Sequence, residues 1–288
     1  MFDSVEAFYR PASVHEALRL LQRGKGQTRV VAGGTDLVVE GDRSIRFLID
    51  ITHAGLTYIK RKATGLAIGA TTTMAELEES ALLGGLAGGL LARAAASCGS
   101  IQIRNMATLG GNMSNGSPAA DMAVPLVALD AKVVIAGPRG RRTMPLTAYL
   151  AEPAEMRRRS LLVEVAIPEP PRDKRAGWSF QKFGRTALDI AVVSVAAGIG
   201  FGPRGRVKWA RLALGAVAPA PLRIAAAEQA LVGRVMDRAV MAEACAAVER
   251  AVHPITDVRA TAEYRTELSR VLSGRALEEC AGQAGWAL

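Results

Sequence analysis

The sequence is poor in the residues that metal, disulfide and base-stacking chemistry require. Its 288 residues contain three cysteines and three histidines. Cys98, Cys245 and Cys280 are far apart and odd in number, so neither a disulfide framework nor a Cys-x-x-Cys motif is present. Scattered in this way, they also fall short of the thiolate set that an iron–sulfur cluster requires. His15, His53 and His253 never occur at the spacing of a helical ligand pair. Aromatic residues make up 5% of the chain and do not interleave with its basic residues, so the stacking platforms of a nucleic-acid surface are missing. Long uncharged stretches run over 81–92, 105–120 and 190–203. None is an apolar run of the roughly 18 residues that a spanning helix needs. The opening Met-Phe-Asp-Ser-Val-Glu has neither a basic start nor an apolar core, so no signal peptide and a cytoplasmic location are expected.

What is present is an ordinary globular balance, 50% hydrophobic and 22% charged, in a chain long enough for two domains. The net charge of +9 comes mostly from dispersed arginine. The short basic clusters at 139–142 and 157–159 read as solvated surface, leaving an acidic partner or an anionic cofactor as the functional alternative.

Ser13-Val14-His15-Glu16 has the form of a capping box before the periodic run Ala17, Leu18, Leu20, Leu21, and Gly24 with Gly26 ends that helix. Strands are expected at 29–32 and 47–51, and a hairpin at 58–61 and 66–70 around Thr64-Gly65. Thr73-Met74-Ala75-Glu76 is a second capping box, and 86–97 reads as a helix. The stretch 98–121, uncharged but for Arg104 and the terminal Asp121 and rich in Gly, Asn, Ser and Met, reads as a long functional loop. A helix at 121–129 and strands at 132–136 and 161–167 follow. Pro168, Pro170 and Pro171 with the charged 172–175 mark a domain boundary. Beyond it, strands are expected at 178–183, 190–201 and 207–217, then helices at 222–231, 238–252 and 259–280. Strands followed by helices indicate an α+β unit.

Gly200-Phe201-Gly202-Pro203-Arg204-Gly205 matches the dinucleotide fingerprint literally, but a strand rather than a helix is expected after it, so it reads as a hairpin turn. No P-loop and no serine nucleophile elbow is present. Two glycine pairs remain. Gly33-Gly34 follows a β-branched strand and precedes Thr35-Asp36, and Gly110-Gly111 lies in the neutral stretch. Paired glycines admit close approach of a ligand and can aim successive amides at an anion such as a diphosphate, although tight turns also explain them.

Val31-Ala32-Gly33-Gly34-Thr35-Asp36-Leu37 and Ile103-Arg104-Asn105-Met106-Ala107-Thr108-Leu109-Gly110-Gly111-Asn112 resemble the two flavin loops of the FAD-binding subunit of molybdenum hydroxylases, the xanthine dehydrogenase and carbon monoxide dehydrogenase medium-chain type. The resemblance continues through Ser117-Pro118-Ala119-Ala120-Asp121, Leu129-Asp130-Ala131, Lys182-Phe183-Gly184-Arg185, Asp189-Ile190-Ala191, Leu214-Gly215-Ala216-Val217-Ala218-Pro219, Asp257-Val258-Arg259-Ala260 and Tyr264-Arg265. It implies an α+β protein: a two-part FAD-binding domain like that of vanillyl-alcohol oxidase (PCMH type) over 1–172, with subdomains about 1–56 and 57–172, then a C-terminal domain of antiparallel sheet plus helices over 173–288. By motif matching, Val30, Val31, Ala32, Gly33, Gly34, Thr35, Asp36 and Leu37 would wrap the diphosphate and approach the flavin. Ile103, Thr108, Gly110, Gly111 and Asn112 would complete the cradle. Asp121 would reach ribityl or ribose hydroxyls, Leu162 would lie by the adenine and Lys182 beside the isoalloxazine. Read without the resemblance, Asp121 could cap its helix and Lys182 could be an exposed strand lysine.

The chain departs from the pattern in three places. Ile190 stands where some members have an aromatic residue over the flavin, the cysteines for an extra cluster are absent, and 29–37 contains no His or Cys to tether the flavin. The resemblance therefore implies non-covalent FAD, with molybdenum cofactor and [2Fe-2S] clusters confined to a large and a small partner subunit in a dimer of heterotrimers. Electrons would pass from partner clusters through FAD to a final acceptor. The competing readings are a stand-alone FAD-dependent oxidoreductase of the vanillyl-alcohol oxidase-like class and a basic, non-enzymatic nucleic-acid-binding protein.

Overall fold

The computed structural model describes residues 4–24 and 26–286, arranged in two compact units that interleave along the chain. The first takes residues up to 77, 100–116 and 131–168; the second takes 78–99, 117–130 and 169 onward.

The first unit holds two sheets. β1 (Ala7–Tyr9), β2 (Thr28–Val31) and β3 (Phe47–Asp50) form a parallel sheet in the order β1-β3-β2. Parallel strands need crossover connections, and the helix Val14–Arg23 carries the chain from β1 to β2, the two strands that flank β3. That helix begins on the expected box: Ser13 Oγ accepts from the Glu16 amide at 3.2 Å, and the Glu16 carboxylate accepts from the Ala12 amide at 3.0 Å. β4 (Ile59–Lys62), β5 (Gly65–Gly69), β6 (Lys132–Gly137), β7 (Gly140–Pro145) and β8 (Leu161–Pro168) form an antiparallel sheet in the order β4-β5-β8-β6-β7. Every residue of β5 is buried, as a central strand covered on both faces requires.

The second unit is a four-stranded antiparallel sheet, β12-β11-β10-β9, of β9 (Ala176–Phe183), β10 (Val193–Phe201), β11 (Val207–Gly215) and β12 (Leu222–Arg223). All nine residues of β10 are buried. Val195, Ala197 and Ile199 share a core with Leu272, Leu277 and Cys280 of the long helix Ala262–Gln283. On the other face the helix Ala123–Ala128 comes so near that a Cβ at Gly215 would stand 2.5 Å from Val124 Cγ2.

Three expectations need correction. The stretch 98–121 is not one loop, because it folds into the helices Ile101–Met106 and Leu109–Asn115, N-capped by Ser100 and Thr108. Leu222 and Arg223 form a strand, and the helix expected from 222 begins at Ala225. The 139–142 basic cluster is solvent-exposed as expected, and part of it forms the edge strand β7. Arg157, read as solvated, is 7% exposed. The fingerprint at 200–205 is a tight turn between β10 and β11, with no helix after it.

Candidate flavin-binding site

β2 delivers the chain into Ala32-Gly33-Gly34-Thr35-Asp36 and the short helix Leu37–Glu40. Gly34 makes the turn at φ +69°, a conformation that side chains with a Cβ disfavour. Gly33 has a different reason to be glycine. A Cβ there would collide with the carbonyl oxygen of Met106, the last residue of the 101–106 helix, so the two motif segments meet backbone to backbone. Among the described residues, no acceptor within the chain meets the amides of Gly33, Gly34, Thr35 or Asp36. These free donors suit a diphosphate. Burial raises the Asp36 carboxyl above its ordinary value. Val30, Val31, Ala32, Thr35 and Leu37 are half-buried around this turn, while Asp36 is more exposed.

The second glycine pair is not a nest of free amides. Leu109 N donates to Thr72 O at 2.9 Å and Gly110 N to Ala70 O at 2.7 Å. Gly111 N donates to Thr108 Oγ1 at 3.2 Å, and Asn112 N to Thr108 O at 3.0 Å. Gly110 is bare because a Cβ would stand 2.6 Å from Ala70 Cβ. Gly111 is exposed, and a Cβ there would meet only Thr108 Oγ1, at 3.0 Å. What this segment offers a ligand is the open face of Gly111 and the buried Asn112 Oδ1, which has no hydrogen-bond partner. Ile103 is exposed on the preceding helix. Leu162 is 5% exposed in β8, where it pairs with Ile135 of β6.

In the second unit, Lys182 of β9 donates from Nζ to Asp121 Oδ2 and to the Ser97 carbonyl, both at 2.8 Å. Both side chains are 9% exposed, so Lys182 is not a solvent-facing strand lysine. Asp121 does not cap its helix, whose N-cap is Met122. Desolvation pushes the Asp121 carboxyl above its ordinary value and the Lys182 charge pulls it back. Asp121 Oδ1 is buried with no partner. The sequence suggested both residues but not their pairing across 61 positions, for which it carries no local signal. The β9–β10 connection exposes Leu188 and Ile190.

In the first unit the free amides of 33–36 suit a diphosphate, and the orphaned Asn112 Oδ1 suits a hydroxyl or amino donor; in the second unit the orphaned Asp121 Oδ1 suits such a donor. No group of three or more potential metal ligands occurs among the described residues. No described helix is long and apolar enough to cross a membrane.

Residues 2–170 match the family model of the FAD binding domain in molybdopterin dehydrogenase, and residues 178–280 match that of the CO dehydrogenase flavoprotein C-terminal domain. The chain is 32% identical over 293 residues to the xanthine dehydrogenase FAD-binding subunit of Escherichia coli O157:H7, covering 99% of each chain. It is 31% identical to the carbon monoxide dehydrogenase medium chain of Afipia carboxidovorans, covering 96% of this chain and 97% of that one. Among solved structures it superposes on a chain of carbon monoxide dehydrogenase from Hydrogenophaga pseudoflava with a TM-score of 0.90 at 29% identity, covering 98% and 99% of the two chains. It superposes on a chain of quinoline 2-oxidoreductase from Pseudomonas putida 86 with a TM-score of 0.89 at 27% identity, covering 99% and 100%. Two family models that together span nearly the whole chain, and relatives matched end to end, show that this α+β protein belongs to the FAD-binding flavoprotein subunits of the molybdenum hydroxylases.

Proposed function

We propose that the chain holds FAD without a covalent bond and relays electrons from the iron–sulfur clusters of a small partner subunit to a final acceptor. Substrate oxidation then takes place on a large molybdenum-cofactor subunit, in a dimer of heterotrimers. When bound, FAD supplies the exchange between one-electron and two-electron transfer that such a relay needs. The chain's own residues bind and orient it. Val30 to Leu37 wrap the diphosphate with the unpaired amides of Gly33, Gly34, Thr35 and Asp36. Ile103, Thr108, Gly110, Gly111 and Asn112 complete the cradle. Asp121 accepts from ribityl or ribose hydroxyls, an edge of Leu162 borders the adenine, and Lys182 lies beside the isoalloxazine. The FAD-binding domain spans residues 1–172, and 173–288 form the C-terminal domain, which contributes Lys182.

The observation that carries this reading is the run of four unpaired amides at 33–36, fixed by the backbone contact between Gly33 and Met106. Tyr58 is engaged by Glu164 and Tyr149 by Ser114, and no histidine lies in either motif, so a substrate acid–base pair has no candidate there. This favours the relay over a stand-alone oxidoreductase. Purified chain should carry one flavin, released in full by acid precipitation, and the apoprotein should bind FAD in preference to FMN. Flavin that stays in the pellet after acid and detergent would contradict non-covalent binding. Equal affinity for FAD and FMN would contradict the nucleotide-side residues.

A further inference from the structure

Arg157 ends the short helix Ala154–Arg157 and is 7% exposed, yet no carboxylate pairs with it among the described residues. Its guanidinium instead gathers carbonyls. Nε donates to Ser114 O at 3.3 Å, Nη2 to Asn115 O at 3.5 Å, and Nη1 to Leu150 O at 3.3 Å and to Glu152 O. It also lies 6.0 Å from the ring centre of the buried Tyr149, whose hydroxyl donates to Ser114 Oγ at 3.1 Å. Gly116, at φ +69°, leaves room for this, since a Cβ there would collide with the guanidinium. Two separate segments thus converge on one cation: the end of the 109–115 helix with Gly116, and the 149–152 segment.

The last carbonyls of a helix have no partner within it, and a cation there is favourable. A buried cation matched only by backbone carbonyls is nevertheless a costly way to fill space, and an apolar side chain would do that alone. What the guanidinium adds is direction, because its rigid fork fixes several carbonyls at once. The 109–115 helix is short and stiff. Its first turn is tied to Ala70 O and Thr72 O, and its last turn is tied to Arg157. Gly111 and Asn112 lie between the two anchors.

We propose that Arg157 is a positioning residue for flavin binding: by clamping the C-terminal end of the 109–115 helix it sets the place of Gly111 and of the orphaned Asn112 Oδ1 in the turn before it. The inference rests on the reading of this helix as part of the FAD cradle. Arg157→Met removes the clamp, Arg157→Lys keeps the charge with fewer donors, and Val133→Ala truncates a fully buried residue of β6 outside the cradle.

The test measures FAD affinity by titrating apoprotein of the full chain, well below each variant's unfolding midpoint, together with that midpoint and the visible circular dichroism of the bound flavin. Arg157→Met should weaken FAD binding at least about tenfold and change the flavin dichroism, as expected when a supporting contact is lost and the site loosens by a fraction of an ångström. Arg157→Lys should fall between, and Val133→Ala should bind like wild type despite a lowered midpoint. Wild-type affinity in Arg157→Met would overturn the proposal. So would an affinity loss in Val133→Ala matching its loss of stability, because affinity would then follow stability alone. If Arg157→Met does not fold, Arg157→Lys against Val133→Ala decides by the same criterion. Wild-type protein that binds no FAD would defeat the functional reading itself, and this inference with it.

Discussion

Gly33, Gly34, Gly110 and Gly111 are paired in the sequence but work singly. Gly33 and Gly110 are bare because backbone presses on them, at Met106 and Ala70, and Gly34 because of its dihedral angle. Gly111 alone is exposed, its one near neighbour being the Thr108 hydroxyl. Valine should therefore act differently at 33 and 111. Gly111→Val should keep the wild-type far-ultraviolet dichroism and melting profile while losing flavin, whereas Gly33→Val should lose both. Flavin retained at wild-type content in Gly111→Val would remove that residue from the cradle. Lys182 and Asp121 form the other residue-scale case. Removing one partner of a buried pair strands a charge, at a cost of about 3–5 kcal/mol. Lys182→Met should therefore destabilise the chain more than Lys182→Met combined with Asp121→Asn. In Lys182→Met, the stranded Asp121 is held further above its unfolded value, so the folded state binds the extra proton. The stability of that variant relative to wild type should rise as pH falls from 7 toward the unfolded carboxylate value near 4. Urea unfolding at several pH values checks this, and a pH-independent difference would contradict it.

At the scale of elements, the segment before the long C-terminal helix is held by Asp257. Its carboxylate accepts from the amides of Arg259 at 2.8 Å and Ala260 at 3.2 Å and from Arg265 Nη2 at 2.8 Å, while Arg265 also donates to Val192 O. These donors, the Arg259 amide first, hold the Asp257 carboxyl well below the usual range. A depressed carboxylate contributes stability that is present above the unfolded value near 4 and lost as pH falls toward the folded one. Asp257→Asn should destabilise the chain at pH 7, and the deficit should shrink on titration below pH 4. A deficit of constant size would show that charge plays no part.

Elements marked by local chemistry were legible: the Ser13 and Thr73 boxes, the Thr64-Gly65 hairpin and the turn at 200–205. The helices within 98–121 were not, because Gly, Asn and Ser argue against helix and the stabilising bonds come from distant Ala70, Thr72 and Arg157. The site shows the same limit. Its motif residues could be matched, but which amides remain free depends on acceptors some 40 residues away, and the burial of Arg157 follows from packing that no neighbouring residue announces.

At the scale of the whole molecule, the chain offers a dinucleotide cradle and, in its described residues, no ligand set for a metal or cluster. Its three cysteines are buried, and the thiols of Cys245 and Cys280 are pushed up by desolvation. In the proposed relay this chain holds and orients the flavin, and reducing equivalents arrive from another subunit. The most direct measurement is anaerobic bleaching of the flavin band, with purines, aldehydes, aromatic N-heterocycles or aromatic acyl-thioesters added to the FAD-loaded chain alone and to its assembled complex. The expected result is no bleaching of the lone chain by any of them, and rapid bleaching of the complex by its own substrate. Rapid, substrate-specific bleaching of the lone chain would place the catalytic site here and contradict the electron-relay assignment.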